Sequence, residues 1–147
     1  MAADAPAAPH TEVEAALRAL AIGRAPGPLA ITYSDLHGLW GGISATLTED
    51  GALTLTSREP GGPEVVHRRQ LHRAEVAAVA RLLLRQEAWA QRIPERPPVP
   101  DESRSTLTIR CAGAAVSIWE PHRDLARLGR LRRVRDCFLI FAGLQHQ

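Results

Sequence analysis

"ISATLTEDGALTLTS", residues 43–57, alternates apolar and hydroxyl side chains on both sides of an Asp-Gly pair. Ile43, Ala45 and Leu47 occupy one phase and Ser44, Thr46 and Thr48 the other; beyond the pair, Leu53 and Leu55 alternate with Thr54 and Thr56. A period of two puts the apolar set on one face of an extended chain, which is the signature of a half-buried β-strand. Asp50-Gly51 supplies the turn, because the tight hairpin turns need a positive φ that glycine adopts freely. The stretch therefore reads as a hairpin, and an antiparallel sheet is built outward from it.

Upstream, Leu29 to Tyr33 is strand-like. Downstream, Glu59-Pro-Gly-Gly-Pro63 forms another turn and Glu64 to Leu71 a fourth strand. Arg73 to Ile93 then switches to helical spacing, with Val76, Val79, Leu82, Leu83, Trp89 and Ile93 forming an apolar stripe. Four prolines between Pro94 and Pro100 stop that helix and make a stiff spacer. Leu107, Ile109 and Cys111, then Val116 and Ile118, form a second hairpin around Ala112-Gly113. From Pro121, a good first helical residue, one continuous helix is expected to about Leu144. The order is ββββαββα with an extra N-terminal helix. Strands gathered in hairpins place the chain in the α+β class: an antiparallel sheet with helices packed on one face.

Residues 1–28 are expected to be a disordered tail over 1–10, a short amphipathic helix and a Gly/Pro linker. In that helix Thr11 and Glu14 form a capping box and Val13, Ala16, Leu17 and Leu20 the apolar side. This segment is expected to dock loosely, and residues 29–147 to form the single main domain.

At 147 residues the chain is long enough for one well-buried core. Its 18 basic residues against 16 acidic ones point to no partner by bulk charge. All 18 cations are arginine, with no lysine and no asparagine, which GC-rich coding explains. Arginine clusters often signal phosphate or carboxylate recognition, but in such a chain every surface cation tends to be arginine, so the signal is discounted. Cys111 and Cys137 read as buried free thiols. The first residues lack the basic and apolar regions of a signal peptide, and no stretch is long enough to span a bilayer. A cytoplasmic protein with no membrane association is expected.

Gly38, Gly41 and Gly42 suggest a phosphate cradle, but a strand follows them where a cradle needs a helix N-terminus. Trp40 between them is either an interface anchor or a ring folded over the end of the sheet. The six histidines show no metal-ligand spacing, and neither cysteine has a CxxC partner. No GxSxG occurs. No cofactor, no metal and no catalytic residue is therefore assigned, and the chain is read as a non-enzyme. Asp101 and Glu102 after the proline spacer are candidate contact residues. Arg123, Arg127, Arg130 and Arg133 form a candidate basic face on the last helix, but no aromatics interleave with them for base stacking, which argues against nucleic acid.

The order of parts resembles small bacterial emfourin-like proteins. The residues that carry the likeness are a strand, the Gly41-Gly42 loop, a second strand and the Leu-x-x-x-Glu-Val helix start at Leu71 to Val76. They continue with the proline-rich connector, Pro-Asp-Glu at 100–102, the second hairpin and the closing helix. The strand from Glu64 to Leu71 and the N-terminal helix depart from that layout. Emfourin-like proteins are proteinaceous inhibitors of thermolysin-like zinc peptidases. The resemblance implies an intracellular, non-catalytic protein-binding module of which a peptidase is the partner. Its contact loops would hold Trp40, Gly41, Gly42, Asp101 and Glu102. The alternative is a basic adaptor that binds nucleic acid or an acidic protein through the arginine-rich helix. An uncovered edge strand would also leave room for a second copy.

Overall fold

Six strands form one sheet in the order β4-β3-β2-β1-β5-β6, every neighbouring pair antiparallel. The strands are β1 (Leu29–Ser34), β2 (Gly42–Thr48), β3 (Ala52–Arg58), β4 (Glu64–Gln70), β5 (Arg104–Cys111) and β6 (Ala114–Pro121). A computed structural model describes residues 8–144 of the chain. The expected hairpin is β2–β3, with Thr46 opposite Thr54 and Leu47 opposite Leu53 across Asp50-Gly51.

The alternation in sequence becomes two unlike faces. Ile31 and Tyr33 of β1, Ala45 and Leu47 of β2, Leu53 and Leu55 of β3, and Leu107 and Ile109 of β5 all lie in the buried core. The opposite face keeps the hydroxyls: Ser117, Thr108, Thr32, Thr46 and Thr54 line up across five strands. Thr108 and Ser117 share a 3.1 Å hydrogen bond on that face. β4 carries no apolar alternation and lies almost wholly exposed.

Helices α1 (Pro9–Ala21), α2 (Arg73–Arg85) and α4 (Arg130–Phe141) cover the apolar face. α1 departs from expectation. It starts at Pro9, with the proline in the first turn and no side-chain cap, so the Thr11–Glu14 capping box does not form. Nor is it loosely docked: Val13 and Leu17 are fully buried in the same core as the strands, and α1 packs on α2 and β6. Of the expected tail, residues 1–7 lie outside the described residues.

α2 ends at Arg85, eight residues before the expected Ile93. The segment from Gln86 leaves the helix because Glu87 takes a positive φ of 48° and Ala88 turns inward to the core. A capping box does form here, between His72 and Glu75. The last helix is also not continuous from Pro121. β6 runs through Pro121, a 3₁₀ turn follows at His122–Asp124, then the short α3 (Leu125–Leu128). Gly129, at φ 79°, breaks the chain before α4, a conformation a side-chain-bearing residue resists.

Arginines close the helix ends. Arg81 of α2 donates to Ala21 O at the end of α1 (3.0 Å), and Arg69 of β4 to Phe141 O at the end of α4 (2.6 Å). Arg130 reaches Gln86 O, Glu87 O and Ala90 O beyond α2 at 3.3, 3.3 and 2.8 Å. Ala21 O, Phe141 O and Gln86 O are carbonyls that a helix end leaves without partners, at the negative end of its dipole, whereas Glu87 O and Ala90 O belong to the turn that follows α2.

Candidate functional site

The loop between β1 and β2 is held from three sides. Asp35 N–H donates to Ile43 O at 2.9 Å, and His37 and Gly41 exchange backbone hydrogen bonds of 2.8 and 3.0 Å. The Arg58 guanidinium donates to His37 O and, at 2.8 Å, to Gly38 O. Gly41 and Gly42 are glycine for cause. Both have positive φ, and a Cβ would collide with the Arg58 carbonyl at Gly41 and with Asp35 at Gly42. That packing turns the intervening residues outward. Trp40 is 64% exposed, its ring stacked 6.5 Å from the His37 imidazole, and Leu39 beside it is equally open. Trp40 is therefore not a cover over the core.

Below the loop lies a groove of about 720 Å³. Trp40, Ile43, Pro60, Val65, Leu139 and Leu144 supply apolar walls, and Asp35, His122 and Arg135 line it too. Asp35 is buried, and its carboxylate accepts from Ile43 N–H (2.8 Å), Tyr33 Oη–H (2.7 Å) and Arg135 Nε–H (2.7 Å). Ser105 Oγ lies 3.3 Å from Tyr33 Oη and 3.0 Å from His122 Nδ1. Burial first, and the Asp35 charge second, hold the Tyr33 hydroxyl protonated well above its ordinary range.

A serine, a histidine and an aspartate thus meet, but not as a nucleophilic relay. Such a relay needs one imidazole nitrogen on the serine and the other on the carboxylate. Here His122 Nδ1 faces both, at 3.0 Å from Ser105 and 3.8 Å from Asp35, and Ser105 is fully buried. The cluster instead ties the Trp40 loop to β5 and α4. Sequence reading did not bring Tyr33, Asp35, Ser105, His122 and Arg135 together. A signal existed: Asp35, just past β1, and Ser105 in β5 continue the inward phase of those strands, where the alternation calls for apolar residues.

Asp101 and Glu102 do not join the groove; Ser103 is the residue of that connector lining it. Asp101 is exposed at φ 64°. Glu102 is spent internally. It pairs with the Arg96 guanidinium and with Arg104 Nε (2.7 Å), which lowers its carboxyl from 4.5 to about 2. Arg104 and Arg96 in turn lie over the Trp119 ring, 3.6 and 5.3 Å from its centroid. The proline-rich spacer is therefore stapled to the sheet.

The basic face breaks up in the same way. Arg130 is only 3% exposed, with Nε 4.0 Å from Glu120, and so leaves the face entirely; burial depresses its pKa. Arg127 pairs with Asp124 at 3.4 Å, while Arg123 and Arg133 are exposed. Cys111 and Cys137 are half-buried rather than fully so, and burial pushes the Cys137 thiol up to about 11. Among the described residues no three His, Cys, Asp or Glu side chains stand together as a metal site. No helix among them is long and apolar enough to cross a membrane. No family model matches the chain, and no curated protein matches its sequence.

Proposed function

We propose that the chain is a non-catalytic protein-binding module whose contact surface is Trp40 and the groove beside it. The observation that carries this reading is the indole held outward on a loop that three sets of contacts fix. A rigid, exposed tryptophan loses little entropy on binding, and such residues dominate interface energetics. The arrangement of the Ser105–His122–Asp35 cluster supports a structural role for those residues. Resemblance to emfourin-like proteins supports a thermolysin-like zinc peptidase as the partner.

The test is inhibition of such a peptidase by the wild type and by Trp40→Ala. A hot spot loses about 2 kcal/mol or more, roughly a 30-fold rise in inhibition constant, with the unfolding midpoint unchanged. Equal inhibition by both proteins removes Trp40 from the surface. No inhibition by the wild type removes the peptidase.

A further inference from the structure

The bridge between His37 and Gly41 encloses Gly38, Leu39 and Trp40, the tip of the loop between β1 and β2. Among the described residues only two hydrogen bonds reach those three residues. The Arg58 guanidinium donates to Gly38 O at 2.8 Å, and Leu39 N–H donates to His37 Nδ1 at 3.0 Å. The same imidazole carries the Trp40 indole, the rings stacked 6.5 Å apart with 28° between their planes. His37 thus makes the contacts that aim both exposed side chains of the tip.

The hydrogen bond fixes where the imidazole keeps its proton. A backbone N–H can only donate, so Nδ1 holds a lone pair and the single ring proton is on Nε2. A second proton, on Nδ1, sets two donors face to face and ends the bond. Histidine is the side chain that ordinarily gains this proton between about pH 8 and 5.

The surroundings do not offset that loss. Among the described residues His122 is the one histidine paired with a carboxylate, Asp35 at 3.8 Å, and His37 has no such partner. The charge that touches the tip is Arg58, which also donates to His37 O and repels an imidazolium. Asp35 is spent on Tyr33, Ile43 N–H and Arg135 of α4. Glu59 is exposed in the turn after β3, and Glu64 stands opposite Arg58 in the β3–β4 register. His67 lies in the groove below with His122. A cation gains from an indole face within about 6 Å, and the two rings are 6.5 Å apart, so cation–π attraction does not replace the lost bond.

We propose that His37 is a proton-operated latch on the Trp40 loop. Neutral, it holds Leu39 and Trp40 in the presented arrangement; protonated, it releases the Leu39 amide, the tip loosens, and binding through Trp40 weakens in mild acid. The proposal rests on the binding-module reading and adds the regulation of that surface. Gly41, Gly42 and the Asp35 contacts stay in place, so the response is confined to the residues inside the bridge.

The experiment titrates the full chain by NMR from about pH 8 to 5. Long-range proton–nitrogen spectra of the imidazole are expected to show the proton on Nε2 at the alkaline end. The Leu39 amide shift and the mobility of the Trp40 indole should then change together as His37 titrates. His37→Asn offers an acceptor that does not titrate, two residues before the Leu39 amide, and should hold the tip throughout; His37→Ala should leave it loose at both ends. Against a thermolysin-like peptidase, the inhibition constant of the wild type relative to His37→Asn should rise about fivefold over the range, the equivalent of one net hydrogen bond. A proton on Nδ1 at the alkaline end, or a Leu39 amide and Trp40 ring unchanged or tighter once His37 has titrated, overturns the latch. So does an equal response in His37→Asn, which assigns the effect to His67 or His122, or a constant ratio of measurable inhibition constants. No inhibition by either protein at any pH removes the peptidase alone, and the spectra then decide the latch.

Discussion

β6 and β4 are both edge strands of one sheet, yet one is capped at Trp119 and the other is bare along its length. At β6 the chain after α2 folds along the edge, Gln91 takes the place of a neighbouring strand, and Trp119 lies beneath Arg104 and Arg96 with Nε1–H donating to Glu95 at 3.0 Å. At β4 no segment among the described residues returns along the edge, and Val65, Val66 and Arg68 are exposed. Two of the three tryptophans show the same contrast, Trp119 buried and Trp40 presented. The lesson is that edge exposure is not a default here, because the same chain caps an edge where the polypeptide is at hand.

The strongest challenge to that contrast is to remove each ring. Trp119→Ala empties a buried, hydrogen-bonded site and is expected to cost about 3–5 kcal/mol in chemical denaturation. Trp40→Ala should cost less than about 0.5 kcal/mol. Equal losses would erase the distinction between the two sides.

Proline scanning sharpens the register of the bare edge. Leu71 N–H donates to Gly51 O, and counting back along β4 from that bond Val65 pairs with β3 while Val66 turns its N–H outward. Val65→Pro breaks a ladder bond to β3 and should destabilise by about 3 kcal/mol, whereas Val66→Pro should stay within about 0.5 kcal/mol. Removing the seal, Gln91→Ala leaves Trp119 N–H and C=O without their partners, at a cost of about 2 kcal/mol by thermal or urea unfolding.

Two smaller effects follow from titration. Glu102 has its carboxyl lowered from 4.5 to about 2, so the stability its clamp adds is full above pH 4.5 and is lost as pH falls toward 2. Glu102→Gln should flatten that limb of the stability curve at the sealed edge. Cys137 has the opposite sign. Its thiol is raised from 9.0 to about 11, so its contribution is intact below pH 9.0 and fades as pH rises toward 11. Cys137→Ser should remove that alkaline loss, and the native thiol should alkylate slowly at neutral pH.

Five of the six strands were legible because the signal, a period of two, is local; β4 carries no such alternation and was placed by the Glu59–Pro63 turn before it. Thr46 and Leu47 declare their faces whatever else the chain does. Helix ends were less so: past Arg85 the chain turns at Glu87, and Arg130, 45 positions after Arg85, gathers the carbonyls of that turn, so no window of sequence contains both. Trp40 was undecidable for the same reason. Its direction follows from how Gly41 packs on the Arg58 backbone, which depends on β2 and β3 being paired. The cluster beside the groove joins Asp35, Ser105, His122 and Arg135 from four separate stretches, and only the out-of-place polarity of Asp35 and Ser105 hinted at it.

The helix-end arginines carry a consequence for how the chain answers its surroundings. Arg81 and Arg69 each belong to an element other than the helix they close, and Arg130 of α4 holds the turn that follows α2, so these three helix ends are complete only when their neighbours are in place. Fraying is thereby coupled to the whole, and local melting is converted into a cooperative event. Guanidinium also stays charged through the entire biological pH range and offers five donors in a fixed fork. A chain that writes every cation as arginine holds its helices with fasteners that neither alkali nor mild acid can release.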